Sequence, residues 1–385
     1  MNISGKIILK PGREASVLRF HPWVFSGGIQ SKEGDIKDGN WVEVLDSRNK
    51  TLGFGHYQNG SITVRILMFG SAKPDEELYH QKIAAAYVLR KNIGIISEAT
   101  NSYRLIHGEA DGLPSLIVDV YNKVAVVQSH SEGIHADRQL IAEALMKNIP
   151  VTAVFYKSQS GSDAEYLKGT AETPYSILEH GNKFLVDWAL GQKTGFFLDQ
   201  RENRKLVSEY AKGRKVLNTF CYTGGFSVYA IRGGAQVVHS VDASAKAVEL
   251  CKQNIELNGF DSSHHESIAA DTFDYFKSTT EKYNLIILDP PAFAKHREAK
   301  HQAMKGYQRL NTEAMKQIES GGIIFTFSCS QVVDRKLFYD TVMSSAIQSG
   351  REVKVLAHLG QPADHPVSAF HPEGEYLKGL VLYVG

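Results

Sequence analysis

Residues 321–331 read GGIIFTFSCSQ, an apolar, β-prone run that delivers one cysteine, Cys329, between Ser328 and Ser330. A thiol at the end of a buried strand has two uses. As a thiolate it attacks an electrophilic carbon, provided that donors or cations nearby lower its pKa. As a thiol it packs like a small hydrophobe, the usual fate of a free cysteine. A second candidate ends the run YNLIILDPPAF, where Asp289 is followed by Pro290 and Pro291. Two prolines impose an extended, rigid turn and remove backbone donors, which leaves carbonyl oxygens and the Asp289 carboxylate to face a ligand.

A pocket for such a ligand is suggested upstream. KVLNTF runs into CYTGGFSVYAIRGG, and the pair Gly224-Gly225 lets the backbone approach a ligand at the carboxyl ends of parallel strands, although a plain strand-to-helix turn would look alike. The spacing is not G-x-G-x-x-G, which disfavours a pyrophosphate cradle and with it a nicotinamide dehydrogenase. QVVHSVD ends in Asp242, suited to both hydroxyls of a ribose, as in nicotinamide and S-adenosylmethionine (SAM) enzymes, or to capping the next helix. Asp271, after SIAA, could accept from an adenine amino group or cap TFDYF. Cys251, on KAVELCKQN, reads as packing, and Cys221, beside the glycine turn, as a pocket wall.

These residues need elements to position them. From about residue 183 onward, strands alternate with amphipathic helices, the pattern of a parallel sheet with crossover helices. The strands are KVLNTF, QVVHSVD, SIAAD, YNLIILD and GGIIFTFSCS, and the helices are GFSVYAIRG, SAKAVELCKQNIELNG, TFDYFKSTT and HQAMKGYQRLNTEAMKQI. Residues 1–72 instead alternate short β-prone runs with Gly and Asn turns, which predicts a small all-β barrel or sheet. Residues 73–182 open with a helix over PDEELYHQKIAAAYVLRKNIG and continue with a hairpin turned at Asn122-Lys123, a helix ADRQLIAEALMKN and a strand TAVFYKS, an α+β middle domain. The expected fold class is therefore α/β over 183–385, preceded by two smaller domains.

The totals set outer limits. The chain has 385 residues, a net charge of +1 and three cysteines, enough length for two or three self-sufficient cores. Three cysteines without paired spacing argue for a reducing compartment and against a structural zinc site, and no metal is expected. The N-terminus lacks the apolar stretch of a signal peptide and no run has the length of a membrane span, so a soluble, cytoplasmic protein is expected. Near-neutral charge means that any nucleic-acid binding rests on local patches. Oligomeric state is not fixed, and a homodimer stays open.

Taken in order, VLNTFCYTGGFS, SVDAS, AAD, LDPPAF and SCS resemble the motifs of class I SAM-dependent methyltransferases, which have a Rossmann-like domain. TGFFLDQRENR (194–204) resembles the segment that opens this domain in bacterial 23S ribosomal RNA 5-methylcytosine methyltransferases of the RlmI type. HPWVFSGGI and the strands around it resemble their N-terminal PUA domain, an RNA-binding β-barrel, and DHPVSAFHPEGEYLKG resembles their C-terminal end. The resemblance implies SAM as cofactor. Gln200 and Arg204 would line its site, Phe220, Thr223, Gly224 and Gly225 would pack around the methionine portion, Asp242 would hold the ribose, Asp271 would face adenine, and Ala243 and Asp289 would also belong to the cofactor site. Asn218 departs from the pattern, since many relatives carry an acid there; an amide oxygen can still accept from the SAM ammonium.

The chemistry so implied uses Cys329 and Asp289. Carbon 5 of a pyrimidine is a poor nucleophile, and adding a thiolate at carbon 6 makes it enamine-like. Many RNA 5-methylcytosine enzymes carry a second cysteine after the fourth-strand prolines, but here Ala292 and Phe293 follow, which leaves Cys329. Asp289, Asp364 and His365 are candidates for the base that removes the carbon-5 proton. Lys295, Arg297, Lys305 and Arg309, with Tyr307, form a basic segment suited to phosphate contacts and stacking, and Lys10 and Arg13 add a second patch. Phe20, Trp23 and Phe25 beside that patch read as core. The expected partner is 23S ribosomal RNA or a large-subunit precursor, with the target base flipped out. Two alternatives stay open: methylation of an exocyclic nitrogen of guanine through Asp289-Pro290-Pro291, and a non-catalytic RNA-binding assembly factor.

Overall fold

The computed structural model describes residues 1–158, 163–294 and 297–385, without the side chains of Ser262 and Arg297. The chain forms two compact units. One comprises Met1–Ile177, Val186–Leu198 and Ala363–Gly374, and the other Leu178–Leu185, Asp199–Pro362 and Glu375–Gly385. Among the described residues no helix is long and apolar enough to cross a membrane.

In the first unit the β-prone runs of 1–72 build a six-stranded sheet in the order Trp23–Phe25, Ile62–Phe69, Thr51–Tyr57, Trp41–Leu45, Ile3–Leu9, Ile29–Gly34. Alternation along the strands buries Ile7, Leu9, Val42, Val44, Val64 and Ile66 in one core, as a period of two requires. Trp23–Phe25 and Ile29–Gly34 are strands that the sequence reading did not draw. Five further strands form a second sheet, ordered Ala164–Lys168, Ala153–Lys157, Val124–Ser129, Leu116–Tyr121, Ser102–His107. The expected hairpin is present, with Asn122 in the left-handed region at φ 55°. The helices Glu77–Asn92 and Arg138–Asn148 pack on this sheet, and their Tyr79, Ile83, Ile141 and Leu145 share a core with Trp41, Phe54 and Leu67 of the first sheet. The two sheets are thus joined by common apolar burial.

Asp137 sits at that junction. Its Oδ2 accepts from Trp41 Nε1 (3.0 Å), His56 Nε2 (3.0 Å) and the Tyr79 hydroxyl (2.7 Å). Burial works to raise the carboxyl pKa, but the bonds from His56, Tyr79 and Trp41 and the charge of His56 together outweigh it and hold the pKa below the usual value.

The second unit carries a seven-stranded sheet ordered His265–Ala269, Val237–Asp242, Lys215–Thr219, Tyr283–Leu288, Ile318–Ser328, Lys378–Val384, Val353–Gly360. Counted along the chain the order is third, second, first, fourth, fifth, seventh, sixth. The first five strands pair in parallel and the last lies antiparallel between the fifth and sixth. Parallel pairing requires both faces to be covered. Leu217, Ile286, Leu288 and Ile324 enter one core, and Val216, Leu285, Ile287, Ile323 and Phe325 the other. The expected strands and helices of this domain are present within one to three residues. The helices Arg201–Tyr210 and Arg335–Ser349 and the last two strands are additions.

Since all three tryptophans, Trp23, Trp41 and Trp188, belong to the first unit, their fluorescence follows its unfolding. A folded pKa below the unfolded one means that the Asp137 contribution is complete above the unfolded carboxylate value of about 3.9 and is lost as pH falls through the lower folded value. Asp137→Asn is expected to destabilise this unit by about 2 kcal/mol at neutral pH, in line with a buried charged hydrogen bond, and to show less loss on acidification. Urea titrations at pH 7 and pH 3 that gave the same difference for both proteins would contradict this.

Candidate active site

The parallel register brings the ends of the central strands to one level. Thr219 pairs with Val241 on one side and Leu288 on the other, and Leu288 pairs with Thr326. The residues that leave the sheet next are Phe220, Asp242, Asp289 and, slightly later, Cys329. Ligands of open parallel sheets bind at this edge.

Between strand and helix, residues 220–224 make a strained turn. Phe220 (φ 54°) and Tyr222 (φ 45°) are left-handed without being glycine, and Gly224 (φ 78°) follows. Such conformations are unfavourable and persist only where surrounding bonds impose them. Here Cys221 N–H donates to Val241 O (3.0 Å), Gly224 N–H to Cys221 O (2.8 Å) and Tyr222 N–H to Asp242 Oδ2 (2.9 Å). Asp242 Oδ1 accepts from Ser244 N–H (2.9 Å). Among the described residues two of about four acceptor positions on the carboxylate are used, which leaves the half-buried Asp242 capacity for hydroxyl donors, with Ala243 exposed beside it. Thr223 is buried, and its carbonyl accepts from Asn254 Nδ2 (2.8 Å). A Cβ on Gly224 would collide with the Cys251 sulfur, and one on Gly225 would sit 3.0 Å from Arg204 Cδ.

Beneath the turn runs a buried polar chain. Asn218 Nδ2 donates to Ser227 Oγ (2.9 Å), Ser227 and Ser240 share a hydroxyl bond of 2.6 Å, and Ser240 meets His265 Nε2 at 2.8 Å. Asn218 Oδ1 is buried and has no partner among the described residues. The thiols of Cys221 and Cys251 are in contact, and contact with Cys251, then burial, pushes the Cys221 thiol well up. Both are buried.

Asp271 is exposed and caps the helix Thr272–Ser278 through one oxygen, accepting from Phe273 N–H (2.9 Å) and Asp274 N–H (3.1 Å). The half-buried Asp289 accepts from Gln200 Nε2 (2.9 Å), and Gln200 is held in turn by Asn203 Nδ2 (2.6 Å). Arg204 makes a two-pronged pair with the fully buried Glu179 (2.8 and 2.7 Å). Gln200 and Arg204 therefore both have protein partners: one orients Asp289, the other braces the glycine turn from below.

Cys329 is the one half-buried cysteine of the three. Ser330 Oγ donates to Ala294 O (2.8 Å), which ties the strand end to the loop that follows Asp289-Pro290-Pro291, and Ser328 Oγ donates to the Tyr307 hydroxyl (2.9 Å). Lys378, opposite Ser328 in the antiparallel register, is 5 % exposed and donates to Ser330 O and Val333 O. Burial pulls its pKa down to about 8, against an opposing attraction to Cys329. The sequence reading passed over this lysine, although a lone Lys in the apolar run LKGLVLYV was a usable signal, since such residues are seldom buried unless paired.

Other expectations fall elsewhere. Tyr307 is 1 % exposed and belongs to the core, so it is no stacking platform. Lys305 and Arg309 are exposed on the helix Lys300–Gln317, with the Arg309 guanidinium 4.5 Å from the Phe273 ring centre. Lys295 and the side chain of Arg297 lie outside the described residues. In the first unit Lys10 and Arg13 are exposed, and Phe20 (52 %) and Phe25 (48 %) are exposed instead of core. Asp364 and His365 also belong to the first unit, where Asp364 accepts from the Arg104 N–H and the Arg90 guanidinium. Nothing in the single chain supports the homodimer.

Residues 147–370 match the family model of S-adenosylmethionine-dependent methyltransferases, and residues 7–69 that of PUA-like domains. Among curated relatives, the ribosomal RNA large subunit methyltransferase I of Pseudoalteromonas atlantica is 39 % identical, with 99 % of this chain and 100 % of the relative covered. That of Escherichia coli is 36 % identical, covering 99 % and 100 %. This chain belongs to the ribosomal RNA large subunit methyltransferase I family. A solved structure from Streptococcus mutans, described as a SAM-dependent methyltransferase, has the same fold, with a TM-score of 0.86, 23 % identity and coverage of 98 % and 100 %. A second solved methyltransferase, in complex with SAH, reaches a TM-score of 0.87 at 24 % identity, covering 98 % and 100 %.

The cofactor of the family is SAM, and the pocket residues suit it. The unpartnered Asn218 Oδ1 would accept from an ammonium group, Asp242 would offer its remaining acceptors to ribose hydroxyls, and the turn at Gly224 has no room for a side chain because the Cys251 sulfur fills that space. Gly224→Ala is therefore expected to weaken SAM binding at least about tenfold, since strained backbone and steric overlap each cost on the order of 1 kcal/mol or more. Calorimetric titration with SAM checks it, and wild-type affinity in the variant would remove the turn from the binding account.

Proposed function

We propose that this chain is a cytoplasmic enzyme that methylates carbon 5 of a cytosine in large-subunit ribosomal RNA, with Cys329 as covalent nucleophile. The observation that carries the reading is the contrast among the three cysteines. Cys221 and Cys251 are buried against each other, whereas Cys329 is half-buried at the strand edge, tied to the Asp289 loop and flanked by a buried cation. The names of the full-length relatives supply the substrate class.

In this reading the Lys378 ammonium favours the Cys329 thiolate. The thiolate adds to carbon 6, a C–S bond forms, and the electrons of the carbon 5–carbon 6 double bond move to carbon 5. SAM supplies an electrophilic methyl group on its sulfonium. Asp289, aligned by Gln200, hydrogen-bonds the cytosine edge and favours a proton on its ring nitrogen in the adduct. After methyl transfer the carbon-5 proton passes to a base, for which Asp289 is the candidate in the same unit as Cys329. The C–S bond then breaks, the double bond re-forms and the thiolate leaves. Lys305, Arg309, Lys10 and Arg13 are assigned to phosphate contacts, and the chain is divided into RNA-binding (1–72), middle (73–182) and methyltransferase (183–385) domains.

Methyl-labelled SAM and unmodified large-subunit RNA test the assignment. Wild type should place label in 5-methylcytidine, and Cys329→Ala should lose activity by at least about a thousandfold, as for other nucleophile deletions. RNA containing 5-fluorocytosine should trap a covalent adduct on Cys329, because fluorine cannot leave as a proton does. Label in a methylated guanosine, or activity that survives in Cys329→Ala, would reject the reading in favour of Asp289-Pro290-Pro291 acting on an exocyclic nitrogen.

A separate readout concerns Lys378. Wild-type kcat/KM should decline above about pH 8 as the ammonium loses its proton, because this quantity reports groups of the free enzyme. In Lys378→Met that decline should vanish and the acid limb should move to higher pH by roughly one unit. Unchanged profiles would make the lysine a strand anchor only.

A further inference from the structure

Three side chains of the first unit take no part in the proposed chemistry. His21 follows the short helix Ala15–Leu18, and His371 and Glu373 lie in the segment Ala363–Gly374. They stand at opposite ends of the chain, so no spacing in the sequence links them. In the folded unit one ligand atom from each lies within 4.8 Å of the others, the one such cluster of histidine, cysteine and carboxylate groups among the described residues.

We propose that His21, His371 and Glu373 form a site for a divalent transition metal of the zinc class, which clamps the Ala363–Gly374 segment onto the rest of the first unit. His21 Nε2 is 3.7 Å from Glu373 Oε1, and His371 Nε2 is 3.8 Å from Glu373 Oε2. Tetrahedral bonds of about 2.0–2.1 Å place neighbouring ligand atoms roughly 3.3–3.5 Å apart, so a small inward movement of the exposed Glu373 side chain closes the site. His371 is 3 % exposed, and its Nε2 has no hydrogen-bond partner among the described residues. A buried polar nitrogen without a partner is unfavourable, and a metal ion satisfies it directly.

The surroundings are built to hold the ligands in place. The His371 ring packs edge-to-face against Trp23 with centroids 4.3 Å apart, and Trp23 Nε1 donates to Glu109 Oε1 (2.9 Å), which leaves a further negative group nearby. His21 Nδ1 is 3.4 Å from the Trp23 carbonyl oxygen, which can accept its proton once Nε2 is coordinated. The Trp23 N–H, 3.2 Å from the same nitrogen, favours the other tautomer. Ion binding therefore shifts the imidazole proton from Nε2 to Nδ1. Two imidazoles and one carboxylate suit zinc, cobalt or nickel better than magnesium or calcium. Glu373, about half exposed, gives access from solvent, and water can complete the tetrahedron.

The test uses the full-length, tag-free chain stripped with chelator and titrated with Zn²⁺ against a chromophoric competitor. Binding of one equivalent at micromolar or tighter affinity, with visible bands of tetrahedral Co²⁺ on cobalt loading, is expected. Glu373→Gln, at an exposed position where folding is not at stake, should weaken Zn²⁺ at least tenfold, and His371→Gln should abolish both the equivalent and the cobalt bands. No stoichiometric binding, or the same affinity in both variants, would overturn the site and leave the three groups as a metal-free histidine–carboxylate pairing.

Discussion

Everything in the second unit depends on the register in which its central strands pair. A parallel ladder fixes where each strand stops relative to its neighbours, and a shift of one residue would exchange the two faces of a strand. With Thr219 beside Leu288 and Leu288 beside Thr326, the glycine turn, Asp242, Asp289 and Cys329 all leave the sheet along one edge. The two apolar cores enforce that register, because Val216 and Leu217, or Ile286 and Ile287, are buried on opposite faces. Packing thus decides the position of candidate site residues that themselves contribute little to packing.

The edge holds polar and strained features that a purely apolar core would avoid. Left-handed Phe220 and Tyr222, the buried acceptor Asn218 Oδ1 and the chain of Ser227, Ser240 and His265 are each unfavourable alone. They become tenable through mutual bonds. Tyr222 N–H is fixed by Asp242, and the Asn218 amide by Ser227. Asn218 Oδ1 has no donor among the described residues, as an acceptor kept for a cationic ligand would require.

Much of this organisation was legible in the sequence, and the omissions have physical causes. Strands buried on both faces read as short apolar runs, and their acidic or glycine-rich ends read as binding positions. What the sequence did not reveal was nonlocal. Lys378 comes beside the strand end that carries Cys329 only because the last strand inserts antiparallel between two earlier ones, and Glu179 finds Arg204 from outside the domain expected to contain it. Tyr307 was grouped with Lys305 and Arg309, yet two residues along a helix turn a side chain to the opposite side, so the basic pair faces solvent while the tyrosine enters the core. Phe20 and Phe25 show the converse: apolar residues in a β-prone segment were assumed to be inside, although the strand they border lies at the sheet edge.

The same nonlocality bears on how three cysteines of one chain come to differ. Chemical type alone does not separate them, and the sequence reading that set Cys329 apart from Cys221 and Cys251 rested on place in the chain and on resemblance, not on what surrounds each thiol. Environment does separate them. Contact and burial hold Cys221 as a protonated thiol, and Cys251 is enclosed with it under Gly224. Cys329 alone combines partial access with a neighbouring cation, and that cation is buried and held by the carbonyls of Ser330 and Val333. An ammonium held this way cannot swing away to water, so its field at the sulfur is fixed in direction. A surface lysine at the same distance would be screened and mobile. The seventh strand, which adds nothing to the cofactor edge itself, accordingly supplies the one charge that the proposed nucleophile requires.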